Sequence, residues 1–277
     1  MITEKITSLQ NPLIKRFRAA RDGREPHLMF IEGIRLTEEA INAGVHIESI
    51  IYSDRLYDNP RGADLFEAFK QLRCRGAYVT EPVINSVSSV EMSQGVAAIA
   101  FEPHYELSDV IDQETTLLVI AHQLQDPGNL GTIIRAAEAA GADGVVVTRA
   151  TTDPFRPKAL RASMGSAFRL PIATHAPVRD VIKKCAEYNI PVIATDTRAR
   201  YVYTELNLVA PVAILFGQEG SGLGEDVSFS ADLVVKIPIA ESVESLNVAT
   251  AAAIILFEAA RQRGFKFKPS EQKARAR

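Results

Sequence analysis

Apolar positions along the chain change period several times, and each change marks an element. Residues 11–22 (NPLIKRFRAARD) put Leu13, Ile14 and Phe17 on one helical face, with Pro12 in a first-turn position that needs no N–H. A short apolar run follows over Leu28–Ile31, and helical spacing returns from Ile34 to Ala43, closed by Gly44. Ile47–Tyr52 reads as a strand, Ala63–Leu72 as a helix, Ala77–Val79 as a strand and Gly95–Phe101 as a buried strand. The stretch Pro103–Glu114 is polar and shows no apolar face. A boundary is expected there, giving an α/β domain over 1–104, a linker over 105–115 and a second α/β domain over 116–277.

The second half alternates more plainly. Leu117–Ala121, Val145–Thr148, Leu170–Ala173, Pro191–Thr195, Val212–Phe216 and Leu233–Ile237 read as strands. Asn129–Ala140, Val178–Tyr188 and Ser245–Arg261 read as helices between and after them. Strands of nearly continuous Val, Ile and Leu separated by helices predict a parallel sheet covered on both faces. The last helix is apolar almost all round from Val248 to Phe257, which suggests packing against a partner subunit.

Composition narrows the possibilities. A chain of 277 residues that is 47% hydrophobic and 23% charged is long enough for two domains and excludes wholesale disorder. Its longest uncharged apolar stretch, Leu246–Phe257, is twelve residues, well short of the roughly 20 that span a bilayer. No apolar signal-peptide core opens the sequence, which predicts a cytoplasmic location. Cys74 and Cys185 lack metal-ligand spacing and the five His are scattered, so no metal site is expected.

Net charge is −3, but its distribution is uneven. Residues 5–24 carry Lys5, Lys15, Arg16, Arg18, Arg21 and Arg24 against Asp22 alone, and residues 261–277 carry seven Lys and Arg against Glu271 alone. The other 240 residues then hold a net −14. Basic ends on an acidic body fit a partner rich in phosphate, although solvated ends give the same pattern.

Three loops in the second half stand out. Gln125-Asp126-Pro127-Gly128-Asn129-Leu130-Gly131 joins a strand to the helix carrying Arg135; Asn129 is expected to cap that helix and to share a face with Arg135. Phe216-Gly217-Gln218-Glu219-Gly220-Ser221-Gly222-Leu223 follows a strand and lets a ligand approach its backbone. Its glycines are spaced G-x-x-G-x-G, which fits neither the dinucleotide fingerprint nor a P-loop, so nicotinamide and nucleotide-triphosphate chemistry are set aside. The third loop runs from Ile237-Pro238-Ile239 to Glu244-Ser245-Leu246-Asn247-Val248, with Ser245 the expected N-cap and Asn247 in the first turn.

These three loops, in this order, resemble the motifs of the SpoU, or TrmH, branch of the SPOUT RNA methyltransferases over about residues 117–262. Arg161-Ala162-Ser163-Met164-Gly165 to Leu170-Pro171 resembles the family's middle section. The first half is similar to the small ribosomal-protein-like RNA-binding domain often found ahead of it, through Asn11-Pro12-Leu13-Ile14-Lys15 and Phe30-Ile31-Glu32-Gly33. One position departs: the family commonly has glycine a few residues after Ile-Pro, where Glu241 stands.

The resemblance implies a trefoil-knotted methyltransferase domain, S-adenosylmethionine as cofactor, a homodimer through that domain, and methyl transfer to a ribose 2′-hydroxyl of RNA. It implies Asn129, Arg135, Glu219, Ser245 and Asn247 as the catalytic set. Gly217, Ile237, Leu246 and, less directly, Thr195 are implied as cofactor contacts. Arg135 is expected to clamp RNA phosphate and stabilise developing alkoxide rather than act as base, because a guanidinium keeps its proton. Asn129, Ser245 and Asn247 would orient the ribose and the loops, and Glu219 would hold Arg135 or a neighbouring loop. Ribosomal RNA is favoured over transfer RNA because of the added amino-terminal domain. The competing reading is a non-catalytic RNA-binding or ribosome-assembly protein on the same scaffold.

Overall fold

A computed structural model describes residues 3–217 and 230–267. In chain order its first part runs β1 (Thr3–Ile6), α1 (Pro12–Arg21), β2 (Leu28–Glu32), α2 (Ile34–Asn42), β3 (Ile47–Tyr52), α3 (Pro60–Gln71), β4 (Arg75–Val79), α4 (Glu81–Val87) and β5 (Val96–Phe101). Next come α5 (Leu107–Val110), β6 (Leu117–Ala121), α6 (Pro127–Ala139), β7 (Gly144–Thr148), α7 (Pro157–Ser163) and α8 (Ser166–Arg169). The rest runs β8 (Ile172–Ala176), α9 (Val178–Glu187), β9 (Val192–Thr195), β10 (Tyr201–Val202), β11 (Val212–Phe216), β12 (Leu233–Lys236) and α10 (Val248–Gln262). Among the described residues no helix is long and apolar enough to cross a membrane.

Two compact units result. Unit 1 takes the described residues up to Pro103 together with Phe155–Phe168; unit 2 takes His104–Pro154 and the described residues from Arg169 onward. In unit 1 the sheet order is β1-β4-β3-β5-β2, parallel from β1 through β3 and antiparallel from there. Asn11 caps α1, its Oδ1 accepting from Leu13 N at 2.8 Å, and Pro12 sits where no N–H is needed. Leu13, Ile14 and Phe17 of α1 are buried, and Phe17 meets Phe30 of β2 edge-on at 6.4 Å between ring centres. Each such burial contributes about 1.5–3 kcal/mol.

Among its described residues unit 2 is built on a seven-stranded, wholly parallel sheet in the order β10-β12-β9-β11-β6-β7-β8. Every residue of β6, β7 and β11 is buried, as continuous apolar strands inside a parallel sheet must be.

Several elements differ from the sequence expectation. α3 begins at Pro60, because Asn59 caps it through Arg61 N at 3.0 Å and Pro60 takes the first-turn position. The stretch expected to lack an apolar face contains α5, and Val110 and Ile111 are buried in the core of unit 2. β1, α4, α7, α8 and β10 were not anticipated. The last helix starts at Val248 rather than Ser245.

Candidate functional site

In a parallel sheet of this kind, groups that meet a ligand gather beyond the carboxyl ends of the strands. The loop after β6 is fixed there by a polar hub. His122, the residue after β6, is 5% exposed, and its Nδ1 lies 2.9 Å from Thr148 Oγ1 at the end of β7. Its backbone N donates to Phe216 O of β11 at 2.9 Å, so one residue ties three neighbouring strand ends. Thr151 Oγ1 accepts from Gln123 N at 2.8 Å, and Gln125 Nε2 donates to the carbonyls of Gln123 and Ala150 at 2.9 and 2.8 Å. Gln123 holds φ +54, a left-handed conformation that these bonds stabilise. Burial pulls the His122 imidazole below its ordinary pKa. Reading the sequence missed this hub, since a lone His at a strand end gives no periodic signal.

Asp126, not Asn129, caps α6: its Oδ1 accepts from Asn129 N at 2.9 Å, with Pro127 next. The Asn129 side chain is thereby released from capping and is half-buried in the first turn. Arg135 is six residues on, about 9 Å along the axis and about 120° round from Asn129, so the two do not share one narrow face. Arg135 is exposed, and among the described residues it forms no hydrogen bond or ion pair.

At the start of α10 the roles are likewise exchanged. Asn247 is the N-cap, its Oδ1 accepting from Ala249 N at 3.0 Å and Thr250 N at 3.3 Å, while Ser245 lies exposed two residues earlier. The other end of the same amide reaches α6: Asn247 Nδ2 donates to Asn129 Oδ1 at 3.0 Å. α6 and α10 pack side by side, so the bridge joins their first turns. Two residues 118 positions apart in sequence meet in this way. Glu219 lies outside the described residues, as does the rest of its loop beyond Gly217. Glu241 is exposed in the loop before α10.

Three of the four expected cofactor contacts fall at neighbouring strand ends, and the fourth, Leu246, stands just before the cap of α10. Thr195 ends β9, Gly217 follows β11 and Ile237 follows β12, and these three strands are adjacent in the order β12-β9-β11. Thr195 pairs in register with Val235, its Oγ1 3.4 Å from Leu215 O; Thr195, Gly217, Ile237 and Leu246 are all half-buried. A row of strand ends offering backbone groups, one hydroxyl, a residue without Cβ and an aliphatic side chain fits a nucleoside-bearing cofactor. Among the described residues no group of His, Cys, Asp and Glu is placed to hold a metal ion.

Asn129, Asn247 and Arg135 can orient and stabilise a polar or anionic substrate, but none is a base near neutral pH. Cys185 supplies no thiolate either: it is fully buried, and burial pushes its thiol up to about 12.

Residues 116–257 match the SpoU rRNA methylase family, and residues 11–98 match the MRM3-like substrate-binding domain. An uncharacterised tRNA/rRNA methyltransferase of Synechocystis sp. is 33% identical over 93% of each chain. The 23S rRNA (guanosine(2553)-2′-O)-methyltransferase RlmP of Bacillus subtilis is 31% identical, covering 92% of this chain and 98% of its own. Among solved structures, an AdoMet-bound rRNA methyltransferase from Sinorhizobium meliloti superposes with TM-score 0.83 and 33% identity over 94% of this chain and 98% of that one.

Proposed function

The chain belongs to the SpoU rRNA methylase family, and on that premise we propose that it methylates a ribose 2′-hydroxyl of ribosomal RNA. S-adenosylmethionine is its cofactor, as in the AdoMet-bound relative, and when bound supplies an activated methyl group on a sulfonium. Thr195, Gly217 and Ile237 would hold it at the ends of β9, β11 and β12, with Leu246 ahead of α10. The observation that carries the reading is the Asn247–Asn129 bridge, which joins two residues of the implied catalytic set at 3.0 Å.

Asn129 and Asn247 orient the ribose, their amides being able both to donate and to accept hydrogen bonds. Arg135, exposed on α6, clamps a neighbouring phosphate and stabilises negative charge on the 2′-oxygen. Alignment of hydroxyl and methyl group is thus the protein's main contribution. Ser245 and Glu219 complete the proposed set, the first at the approach to α10 and the second in the loop after Gly217. Residues 1–104 present the RNA and residues 116–277 perform the chemistry. Ribosomal RNA is favoured by that added first half and by the 23S-directed relative RlmP; transfer RNA is the alternative.

We also propose the family's trefoil knot, a cytoplasmic location, and a homodimer through α10. Phe257 is 44% exposed, and Ala251, Ala253 and Ile254 are only half-buried, which leaves an apolar row for a second copy. A monomer of 30.3 kDa in light scattering would refute the dimer.

The deciding experiment transfers labelled methyl from S-adenosylmethionine to rRNA and tRNA pools from cells lacking the gene, with Arg135→Ala alongside. Label in one rRNA that disappears with the variant is expected. Undiminished transfer by Arg135→Ala would remove that residue from the site, and absence of label in every pool would favour a non-catalytic RNA-binding protein.

A further inference from the structure

We propose that a groove along α1 of unit 1 is the docking surface for the RNA backbone, completed by Arg156 from the 155–168 segment. The identity of the polyanion rests on the methyltransferase reading; the surface itself follows from how the cations are placed.

The basic run counted in sequence is not a uniform row of unpaired charges. Arg21 is engaged by Asp22 at 2.8 Å and by the carbonyls of Ser86 and Ser88 at 3.2 Å. Arg24 shares the same Asp22 at 2.7 Å, and Arg16 binds Glu48 at 2.6 Å with Glu25 at 3.8 Å. Lys15 and Arg18 are different. Lys15 is exposed and forms no ion pair among the described residues. Arg18 donates to Leu9 O, a neutral acceptor that leaves its charge uncompensated, and its Nε is buried without a partner. Lys15, Arg16, Arg18, Arg24 and Glu25 line one open groove on this face.

Arg156 adds to it from a distant part of the sequence. The 155–168 segment is anchored in unit 1 by Phe155, Ala159 and Leu160, all buried, with α7 packed on β2. Gly23, just past the end of α1, has φ +67, and a Cβ there would fall 1.0 Å from Arg156 Nη1 and 1.9 Å from its Cζ. The guanidinium therefore lies against bare backbone, one residue from Arg24. Only a residue without a side chain permits that approach.

Among the described residues Lys15 and Arg18 are the cations of this groove without a countercharge, with Arg16 and Arg24 paired beside them and the Arg156 guanidinium one residue from Arg24, on an otherwise acidic protein. Like charges gathered this closely repel one another, and an arrangement that holds them together is relieved by a polyanion. Arginine forks and a lysine suit phosphate oxygens and need no base contact, as expected of a surface that positions rather than specifies.

The test uses the full chain and purified bacterial ribosomal RNA in filter binding from 50 to 300 mM KCl. Lys15→Ala/Arg156→Ala is expected to bind RNA roughly ten-fold more weakly at 0.1 M salt, and to lower the log–log salt slope by about 1.5. Gly23→Ala should displace the Arg156 guanidinium without deleting a charge and reproduce the Arg156 part of the loss. Calorimetric affinity for S-adenosylmethionine, unchanged in both variants, verifies folding. Wild-type RNA affinity and slope in the double variant would overturn the proposal. So would equal retention, with the same losses, on phosphatidylglycerol vesicles in place of RNA. Because binding is read without methyl transfer, a protein that binds RNA through this groove yet transfers no methyl refutes the functional reading alone. One that methylates RNA while the double variant binds normally refutes the groove alone.

Discussion

Asn247 performs two tasks with one amide, and two substitutions separate them. Its Oδ1 caps α10 through Ala249 N and Thr250 N, and its Nδ2 bridges to Asn129. Asn247→Ala removes both. Loss of the cap costs about 1 kcal/mol, and loss of an exposed side-chain hydrogen bond about 0.5–1 kcal/mol. The total, about 1.5–2 kcal/mol, corresponds to a fall of about 5 °C in Tm for a chain of this size. Asn247→Ser keeps the cap, since serine caps as well as asparagine, but its hydroxyl is too short to reach Asn129; it should lose only about 2 °C.

The catalytic consequence runs in the other order. If the bridge sets Asn129 for the ribose, both variants should lose about ten- to a hundred-fold in methyl transfer, because small misplacements of orienting groups cost that much. Differential scanning calorimetry and single-turnover methyl transfer on the same preparations give both readouts, with Asn129→Ala closing a double-mutant cycle. Asn247→Ser at the wild-type rate would refute the role of the bridge, and Asn247→Ala at the wild-type Tm would refute the capping argument.

Two further outcomes follow from the polar interior. His122 is held neutral by burial, below the ordinary value of 6.5. Above pH 6.5 folded and unfolded chains carry the same charge at this residue and it is silent; as pH falls through 6.5 towards the folded value, the unfolded chain takes up a proton that the folded one refuses, and stability declines. Urea midpoints at pH 7.5 and 5.5 should therefore drop more for wild type than for His122→Gln, and an identical drop would refute the assignment. Arg263, just past α10, donates to Leu208 O and Thr116 O at 2.8 Å, to Ala210 O at 3.1 Å and to Thr116 Oγ1 at 3.2 Å. Arg263→Ala should cost about 2–3 kcal/mol and Arg263→Lys more than half of that, because one ammonium cannot span the fork; a denaturant midpoint unchanged by either would show that water replaces the bonds fully.

What was legible in the sequence was whatever one periodicity decides. β6 and β11 stand where continuous five-residue apolar runs put them, and α1 where Pro12 and its apolar face put it. Helix starts were harder, because two capping residues compete within a few positions. At α6 the contest was readable: Pro127 at the first helical position places the cap at Asp126, which releases Asn129. At α10 it was not, since Ser245 and Asn247 are both good caps and only the packed position of the helix decides between them. β1 escaped because Glu4 and Lys5 are exposed beside the buried Ile6, which leaves no apolar run, and α7 and α8 because they are one or two turns long around a glycine. Asn129 and Asn247 were legible as types and loop positions, and their pairing was not, because 118 residues of folded chain determine it. The charge count of residues 5–24 was legible as well, but it concealed that Arg21 and Arg24 divide one carboxylate.

The 155–168 segment constrains the order in which this chain can fold. It leaves unit 2 after β7, seats Phe155, Ala159 and Leu160 in unit 1 against β2, and the chain re-enters unit 2 before β8. A nascent chain that has exposed only its first hundred residues to solvent therefore has its edge strand β2 still waiting for the helix that packs on it. That helix emerges only after β6, α6 and β7 have been synthesised. Vectorial synthesis cannot finish the first unit before the second has begun, so both stand open together on the ribosome for some fifty residues of elongation, several seconds at ordinary rates. In that interval β2 is the strand most in need of protection from a chaperone.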